Sequence, residues 1–168
     1  MFLLLGCAAR ARKSEPRIEP VNEKKLNAVL QKNRGRIVLL NFWATWCEPC
    51  VAEFPDLVRL ARENSDRVAV IAVSIDAEED VRTKVIPFLQ KQAAPFSSYI
   101  KKTSDDEAFI NSIDPKWSGA IPATFIYRPD GTLAQRLIGQ QNFEKFLQAI
   151  QNAESGSATT RPEEGAAR

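Results

Sequence analysis

The feature that most constrains this chain is a Cys-x-x-Cys turn between an apolar run and an amphipathic helix. The run Ile37–Trp43 (IVLLNFW) is short and nearly continuous in hydrophobicity, which is typical of a strand buried on both faces of a sheet. Cys47 and Cys50 follow it, and Val51–Asn64 then repeats apolar residues at helical spacing. The local order is therefore strand, cysteine turn, helix.

Strand and helix patterns keep alternating along the chain. Val68–Ile75 (VAVIAVSI) is typical of a second buried strand, and because a helix connects it to the first, we predict a βαβ unit with parallel strands. Pro87 should end or kink the helix predicted around it, since proline cannot donate a helical hydrogen bond. The other predicted elements are helices at Asn22–Asn33, Glu78–Gln92, Asp105–Ile113 and Asn142–Gln151, and a strand at Phe96–Ile100.

A turn signal towards the C-terminus predicts a β-hairpin. Ala120–Tyr127 and Leu133–Ile138 are strand-like runs, and between them Pro129 fixes the first corner of a turn while Gly131 supplies a positive φ. We therefore predict an α/β fold class. Its central mixed sheet has parallel strands plus a C-terminal antiparallel hairpin, with helices on both faces.

Composition removes several kinds of chemistry. The chain of 168 residues contains no histidine, which excludes Ser-His-Asp and Cys-His nucleophile pairs and the commonest metal ligand. A formal net charge of +2 gives no electrostatic case for a nucleic-acid partner. Three cysteines are too few for a disulfide-dense scaffold, so each cysteine needs its own explanation.

The first residues contain a second motif. Leu4-Leu5-Gly6-Cys7 resembles the lipobox of bacterial lipoproteins, which implies cleavage of a signal before Cys7 and attachment of lipid to its thiol. The alternative is a short, frayed apolar terminus with an incidental cysteine. The residues that follow, up to Pro20, are rich in charge and proline and are expected to form a flexible tether.

These patterns set the expected domain boundaries. Residues 1–20 are a signal remnant and tether, and residues 21–152 form one folded domain, a length that suits a single core. Residues 153–168 have almost nothing to bury and are expected to be disordered.

Three roles are open to the Cys47 and Cys50 pair. A structural zinc site needs four ligands, and the chain offers no histidine to complete one, so we predict no metal. A static disulfide across so small a loop constrains little unfolded-state entropy. Redox exchange fits the position, because a sulfur at the start of a helix lies near unpaired N–H groups and the positive end of the helix dipole, which stabilise a thiolate.

In the redox role, Cys47 is the expected nucleophile. Cys50 lies one helical turn further on and is more shielded, so it is the expected resolving thiol that attacks the mixed disulfide. Pro49 suits the first helical turn, where its missing N–H is not needed. No cofactor is predicted for this chemistry.

The segment Asn41–Cys50 (NFWATWCEPC), followed by Glu53-Phe54-Pro55, resembles the active site of thioredoxin-fold proteins, and more narrowly that of TlpA/ResA-like bacterial thiol:disulfide oxidoreductases. The resemblance covers residues 21–150 and implies a thioredoxin-like fold, with residues 94–118 as the family's central insertion. It also implies an enzyme of the bacterial cell envelope, extracytoplasmic and tethered to the membrane. We expect the protein to be a monomer. Its partners would be proteins with a disulfide or dithiol, and a membrane-bound electron donor.

The resemblance also assigns roles to single residues. Ile121 and Pro122 match a cis-proline signature that lies opposite the cysteines and aligns a bound peptide. Glu53 lies three residues after Cys50, on the same helical face, and matches a glutamate that thioredoxin-fold relatives of this type place beside their cysteines. Burial would raise its pKa towards neutrality and suit it as the base for Cys50, since Asn41 stands where thioredoxins carry an aspartate. The alternative for Glu53 is a solvated carboxylate near the start of a helix.

Neighbouring side chains are expected to meet the partner. Trp46, immediately before the nucleophile, should form part of the exposed contact surface together with Glu48 and Pro49. Trp117 departs from the usual family sequence before the proline. It either widens or covers the groove, or fills the core.

The predicted function is reduction of disulfides in partner proteins, for example in cytochrome c maturation or copper-site assembly. Oxidation stays open as the net direction, because a strongly stabilised thiolate makes the same motif an oxidant. A thiol peroxidase is a second candidate, although Thr45 lies two rather than three residues before Cys47, unlike the peroxiredoxin threonine. A third is a non-enzymatic binding module that uses the groove at Pro122.

Overall fold

Strand β2 lies at the centre of a six-stranded sheet in the computed structural model, which describes residues 18–157. The strands are β1 (Ile18–Val21), β2 (Ile37–Trp43), β3 (Val68–Ser74), β4 (Ser97–Lys101), β5 (Ala123–Tyr127) and β6 (Leu133–Ile138), in the spatial order β1-β4-β3-β2-β5-β6. The α-helices are α1 (Glu23–Lys32), α2 (Glu48–Glu63), α3 (Ile86–Gln92), α4 (Asp106–Ile113) and α5 (Phe143–Ser157).

The pairing of the strands confirms the predicted mixed sheet. β2 and β3 run parallel from the Ile37 and Val68 pair to the Trp43 and Ser74 pair, and β4 and β1 continue the parallel half. β5 is antiparallel to β2, and β6 is antiparallel to β5. The hairpin therefore completes one edge of the sheet, as predicted for an α/β fold with helices on both faces.

Alternation along β2 divides the core between the two faces of the sheet. Leu39 and Trp43 pack with residues of α2, α3 and α5, whereas Leu40 and Phe42 pack with residues of α1 and α4. Each large apolar side chain buried in this way stabilises the fold by about 1.5–3 kcal/mol. Asn41 is the exception in this strand, because it places a polar group on the face that α2 covers.

Strand β1 corrects the expected tether, which was wrong at its C-terminal end. Residues 18–21 pair in parallel with β4 from Ile18 opposite Ser98 to Val21 opposite Lys101. Val21 is buried and its carbonyl accepts a hydrogen bond from the Lys102 N–H. Pro20 is compatible with this strand because β1 lies at the edge of the sheet, where a missing N–H is tolerated.

Helix α5 corrects the expected start of the disordered tail. The helix continues to Ser157, and Ala153 packs in the core with no exposed surface. Glu154 forms an ion pair with Arg67, which further fixes the last turns. Residues 1–17 and 158–168, including the predicted lipid attachment site Cys7, lie outside the described residues.

The helix predicted around Pro87 changes type along its length. A 3-10 turn (Glu78–Asp80) and a π-helical turn (Val81–Val85) precede α3, and the Ile86 N–H donates to the Val81 carbonyl. Pro87 has no N–H to donate, so the irregular turns end just before it. The expected kink is therefore a change of helical hydrogen bonding at this position.

Candidate active site

The cysteine pair lies where β2 gives way to α2. Cys47 is the N-terminal cap of α2, and its Sγ accepts a hydrogen bond of 3.3 Å from the Cys50 N–H. The two form a disulfide with an S–S distance of 2.04 Å, so the structure holds the oxidised state. Cys50 is fully buried and Cys47 is 6% exposed, which confirms the expected difference in shielding.

The loop before Cys47 is held by a carboxylate that was not among the predicted site residues. Asp76, which follows β3 and is buried, accepts hydrogen bonds from the Thr45 N–H and the Thr45 hydroxyl. It also accepts a bond of 2.6 Å from the Ser74 hydroxyl. Its position in the sequence could have indicated this role. Asp76 follows a buried parallel strand, and α/β proteins build their sites at the carboxyl ends of such strands.

Glu53 is a buried carboxyl group, only 2% exposed, on the face of α2 that packs against the sheet. Its Oε1 accepts from Asn41 Nδ2 at 2.9 Å, and its Oε2 accepts from the Gln141 N–H at 2.8 Å. Burial raises its pKa from 4.5 to about 7, because it disfavours the charged form more than the two hydrogen bonds favour it; the nearby charge of Asp56 adds to the rise. The solvated alternative for Glu53 is therefore wrong.

Asn41 connects Glu53 to the neighbouring strand. Its Nδ2 donates a second hydrogen bond of 2.9 Å to Thr124 Oγ1, and the two residues are directly paired across β2 and β5. Asn41 and Thr124 are each 1% exposed. Thr124 was not predicted as a site residue, because in the sequence it is one more β-branched residue of a buried strand.

The Ile121–Pro122 peptide bond is cis, as expected, and lies at the start of β5. Because β2 and β5 are antiparallel, the first residue of β5 lies opposite the end of β2, with Ala123 paired to Phe42. The Pro122 carbonyl accepts a hydrogen bond of 2.9 Å from the Gly139 N–H. The segment that follows β6 therefore contacts both the proline and, through Gln141, the carboxyl group of Glu53.

Trp117 belongs to the core, so the groove alternative for this residue is wrong. Its ring is 6% exposed and packs on Phe42, with ring centroids 4.7 Å apart, and on Phe125. Its indole Nε1 donates to the Ala120 carbonyl at 2.9 Å. Trp117 thereby also anchors the residue that precedes Ile121.

The side chains expected to contact a partner are at the surface. Trp46 is 64% exposed, which is unusual for so large an apolar group, and Glu48 and Pro49 are also exposed. Ile121 is half-buried and Pro122 is buried. Their role in partner binding stays a prediction.

Residues 18–157 contain neither a cluster suited to a metal ion nor a helix suited to crossing a membrane. No group of three or more cysteine, aspartate or glutamate residues there is arranged to hold a metal ion. No helix in that range has the length and hydrophobicity needed to cross a bilayer.

Fold and site together define a class: thioredoxin-like proteins with a redox-active cysteine pair at the start of a helix. The model of the AhpC/TSA family matches residues 13–136, and the chain belongs to this family. The narrower ResA-like resemblance is confirmed by the relatives that the chain matches.

Two curated relatives illustrate the match. Thioredoxin-like protein YneN of Bacillus subtilis (strain 168) is 41% identical over 121 residues, which span 72% of this chain and 67% of YneN. Thiol-disulfide oxidoreductase ResA of Oceanobacillus iheyensis is 31% identical over 113 residues, 67% of this chain and 54% of that protein. The names of such relatives support thiol:disulfide oxidoreductase activity.

A solved structure shows the same fold. A secreted Mycobacterium tuberculosis disulfide oxidoreductase, described as homologous to E. coli DsbE, superposes with a TM-score of 0.56 at 22% sequence identity. The superposition covers 72% of this chain and 84% of the other. At this level of identity the likeness supports the thioredoxin-like fold.

Proposed function

We propose that this protein is an extracytoplasmic thiol:disulfide oxidoreductase that reduces disulfides in partner proteins through Cys47 and Cys50. The observation that carries the proposal is the Cys47–Cys50 disulfide at the N-terminus of α2, three residues from a buried carboxyl group with a pKa of about 7. A structural staple would need no such group. The match to ResA supports the same chemistry.

The exchange begins with the reduced protein. The Cys47 thiolate, stabilised by the N–H groups and dipole of α2, attacks one sulfur of a partner disulfide. The new bond joins Cys47 to the partner, and the other partner sulfur leaves as a thiolate. The partner is then held in a mixed disulfide with Cys47, and its two-electron reduction is complete only when that bond is broken.

Resolution of the mixed disulfide needs a second thiolate. Cys50 loses its proton to the Glu53 carboxylate and attacks Cys47 Sγ, which forms the Cys47–Cys50 disulfide and releases the partner's second thiolate. A carboxyl group whose pKa lies near neutrality can both take this proton and give it up later. Asn41 cannot replace it, because an amide does not accept a proton at neutral pH.

Partner binding is assigned to the exposed rim of the cysteine turn. Trp46 offers an apolar ring, Glu48 and Pro49 lie beside it, and Ile121 with Pro122 would align an extended segment of the partner chain. The region of residues 94–118, which supplies β4, α4 and Trp117, is proposed to be the family's insertion.

The location and partners of the protein extend the proposal. A secreted protein shares the fold, and the Cys7 lipobox would anchor the chain to the membrane of the bacterial cell envelope. A membrane-bound donor would then return electrons to the Cys47–Cys50 disulfide. The protein would act as a monomer on partners such as apocytochrome c or a copper-site assembly protein.

A peroxidase is a weaker candidate because of where Thr45 directs its hydroxyl group. That hydroxyl donates to Asp76 and fixes the loop before Cys47. It is therefore engaged in holding the backbone, and the peroxiredoxin spacing to the cysteine is also absent. Peroxide consumption no faster than that of a free thiol would agree with this view.

Two measurements test the proposal. The reduced protein should reduce insulin disulfides, and Cys47→Ser should abolish the activity; equal activity in Cys47→Ser would overturn the mechanism. A redox titration against glutathione then gives the direction. A potential below about −250 mV is expected for a reductant, whereas one near about −120 mV would identify an oxidant.

A further inference from the structure

Thr124 lies in the interior of the sheet, away from the reacting sulfur atoms. It belongs to β5, two residues after Pro122, and is paired with Asn41 of β2. Its side chain is on the face that α2 covers, and it is 1% exposed. The hydroxyl is therefore a buried polar group, and such groups are normally hydrogen-bonded.

The Thr124 hydroxyl accepts one of the two N–H bonds of the Asn41 amide. One N–H of Asn41 Nδ2 bonds to Glu53 Oε1 and the other to Thr124 Oγ1, each at 2.9 Å. Asn41 Oδ1 is buried and has no hydrogen-bond partner among the described residues. The orientation of the amide therefore depends on the two acceptors of Nδ2, which are Glu53 Oε1 and Thr124 Oγ1. No hydrogen bond to Oδ1 from the described residues adds to it.

We propose that Thr124 is a positioning residue that sets the proton affinity of Glu53 through Asn41. It does not touch Glu53, and it acts by keeping the nitrogen edge of the amide turned towards the carboxyl group. This inference rests on the proposed role of Glu53 as the proton acceptor for Cys50.

The direction of the effect follows from the two orientations of the amide. With the nitrogen edge towards Glu53, the N–H stabilises the carboxylate. With the oxygen edge towards Glu53, the amide repels the carboxylate and accepts a bond from the protonated acid. Without the Thr124 hydroxyl, the first orientation leaves one N–H of Nδ2 without an acceptor instead of none. The second orientation leaves both N–H groups without an acceptor in either protein, since no hydrogen-bond partner among the described residues lies at the edge that Oδ1 occupies. The first orientation therefore loses part of its advantage over the second. The pKa of Glu53 then rises.

The electrostatic surroundings make this effect measurable. Asp56, on α2 itself, is the charged group that acts on Glu53, and it raises the pKa. The groups that contact the carboxyl from β2 and from the segment before α5 are the amide of Asn41 and the N–H of Gln141, both uncharged. A substitution at position 124 changes none of these charges, so a shift reports the hydrogen bonds.

Two substitutions separate the hydroxyl group from the shape of the side chain. Thr124→Val keeps the branched shape and removes the hydroxyl, and Thr124→Ser keeps the hydroxyl. The measurement is the titration of the Glu53 side-chain carboxyl carbon by ¹³C NMR in the oxidised protein. Thr124→Val should raise the apparent pKa by about half a unit to one unit, and Thr124→Ser should titrate like the parent.

Two results would overturn the inference. One is a Thr124→Val protein that titrates like the parent, and the other is a Thr124→Ser protein that shifts as far as Thr124→Val. If Thr124→Val does not fold, as judged by circular dichroism, Thr124→Ala replaces it with the same expected shift.

The titration needs no turnover, so it separates this inference from the proposed function. Insulin reduction is measured on the same proteins. Intact turnover with an unmoved titration rejects the positioning role of Thr124 alone. If the parent protein shows no turnover but the Glu53 titration is shifted in Thr124→Val, the hydrogen-bond chain is supported and the redox function is rejected.

Discussion

Asn41 Nδ2 donates a hydrogen bond of 2.9 Å to Glu53 Oε1, in a part of the core where both side chains are buried. An amide in this position leaves a single titrating carboxyl group in the pair. A carboxylate there would face a second carboxylate at hydrogen-bond distance, and two such groups cannot both ionise easily. The amide therefore leaves Glu53 as the one titrating group of the pair, which suits its proposed role as the proton acceptor.

Asn41→Asp tests this relationship. The two carboxyl groups should share a proton and titrate as a coupled pair, with one apparent pKa clearly above the value of about 7 for Glu53 alone. Carboxyl ¹³C NMR between pH 4 and 10 measures it. A Glu53 titration unchanged in Asn41→Asp would show that the two side chains do not interact as described.

Glu53→Gln should slow resolution of the mixed disulfide and alter its pH dependence. In the parent, the rate should rise with pH through about 7 as Glu53 loses its proton and becomes able to accept that of Cys50. The variant should lose this step and be slower by about 10²-fold at pH 7, since it lacks a positioned base. Stopped-flow tryptophan fluorescence follows the reaction. The same pH profile in both proteins would remove Glu53 from the mechanism.

Glu53 also makes stability depend on pH. The folded protein holds this proton more tightly than the unfolded chain, because the pKa is raised from 4.5 to about 7. Its stabilising contribution is therefore fully present below pH 4.5 and is lost as the pH rises through about 7, by about 3 kcal/mol at most. Urea unfolding of the oxidised protein at pH 5 and pH 8 measures it.

Glu53→Gln is expected to lose that pH dependence, since glutamine does not titrate. The matched control is Glu63→Gln, an exposed glutamate at the end of the same helix, which should retain the behaviour of the parent. The raised pKa predicts that the free energy of unfolding of the parent falls between pH 5 and pH 8 relative to Glu53→Gln. A parent that instead gains stability relative to Glu53→Gln over this range would contradict it.

Trp46→Ala tests the partner-binding surface. The exposed indole ring should contribute to docking, so the KM for a protein disulfide should rise about 10- to 30-fold while the reduction potential stays unchanged. Because the ring is exposed, the free energy of unfolding should change by less than about 0.5 kcal/mol. Trp46→Phe keeps an apolar ring, so its KM should lie between those of the parent and Trp46→Ala. An unchanged KM would place docking elsewhere.

The order of strands and helices could be predicted because the buried strands are continuous apolar runs. Ile37–Trp43 was predicted with the bounds that the structure shows, and Pro129 with Gly131 indicated the hairpin. β1 was missed because Pro20 and the charges around it are also typical of a tether. Its pairing with β4 depends on a contact about 80 residues away, which local pattern does not reveal.

The residues of the site also differ in whether the sequence predicts them. Cys47, Cys50, Glu53 and Pro122 could be found from local spacing and family resemblance. Asp76 and Thr124 could not, because their roles come from strand neighbours that meet only in the folded sheet. A threonine in a buried strand looks the same in the sequence whether it fills space or accepts a hydrogen bond.

The proposed exchange proceeds through a mixed disulfide on Cys47 that Cys50 resolves. Cys50→Ser, in a Cys7→Ser background so that a single thiol remains, should form a stable adduct with a protein disulfide. Intact mass spectrometry and peptide mapping should find the partner on Cys47, and dithiothreitol should release it. No adduct on Cys47 in this variant, together with retained turnover in Cys47→Ser, would contradict the proposed exchange.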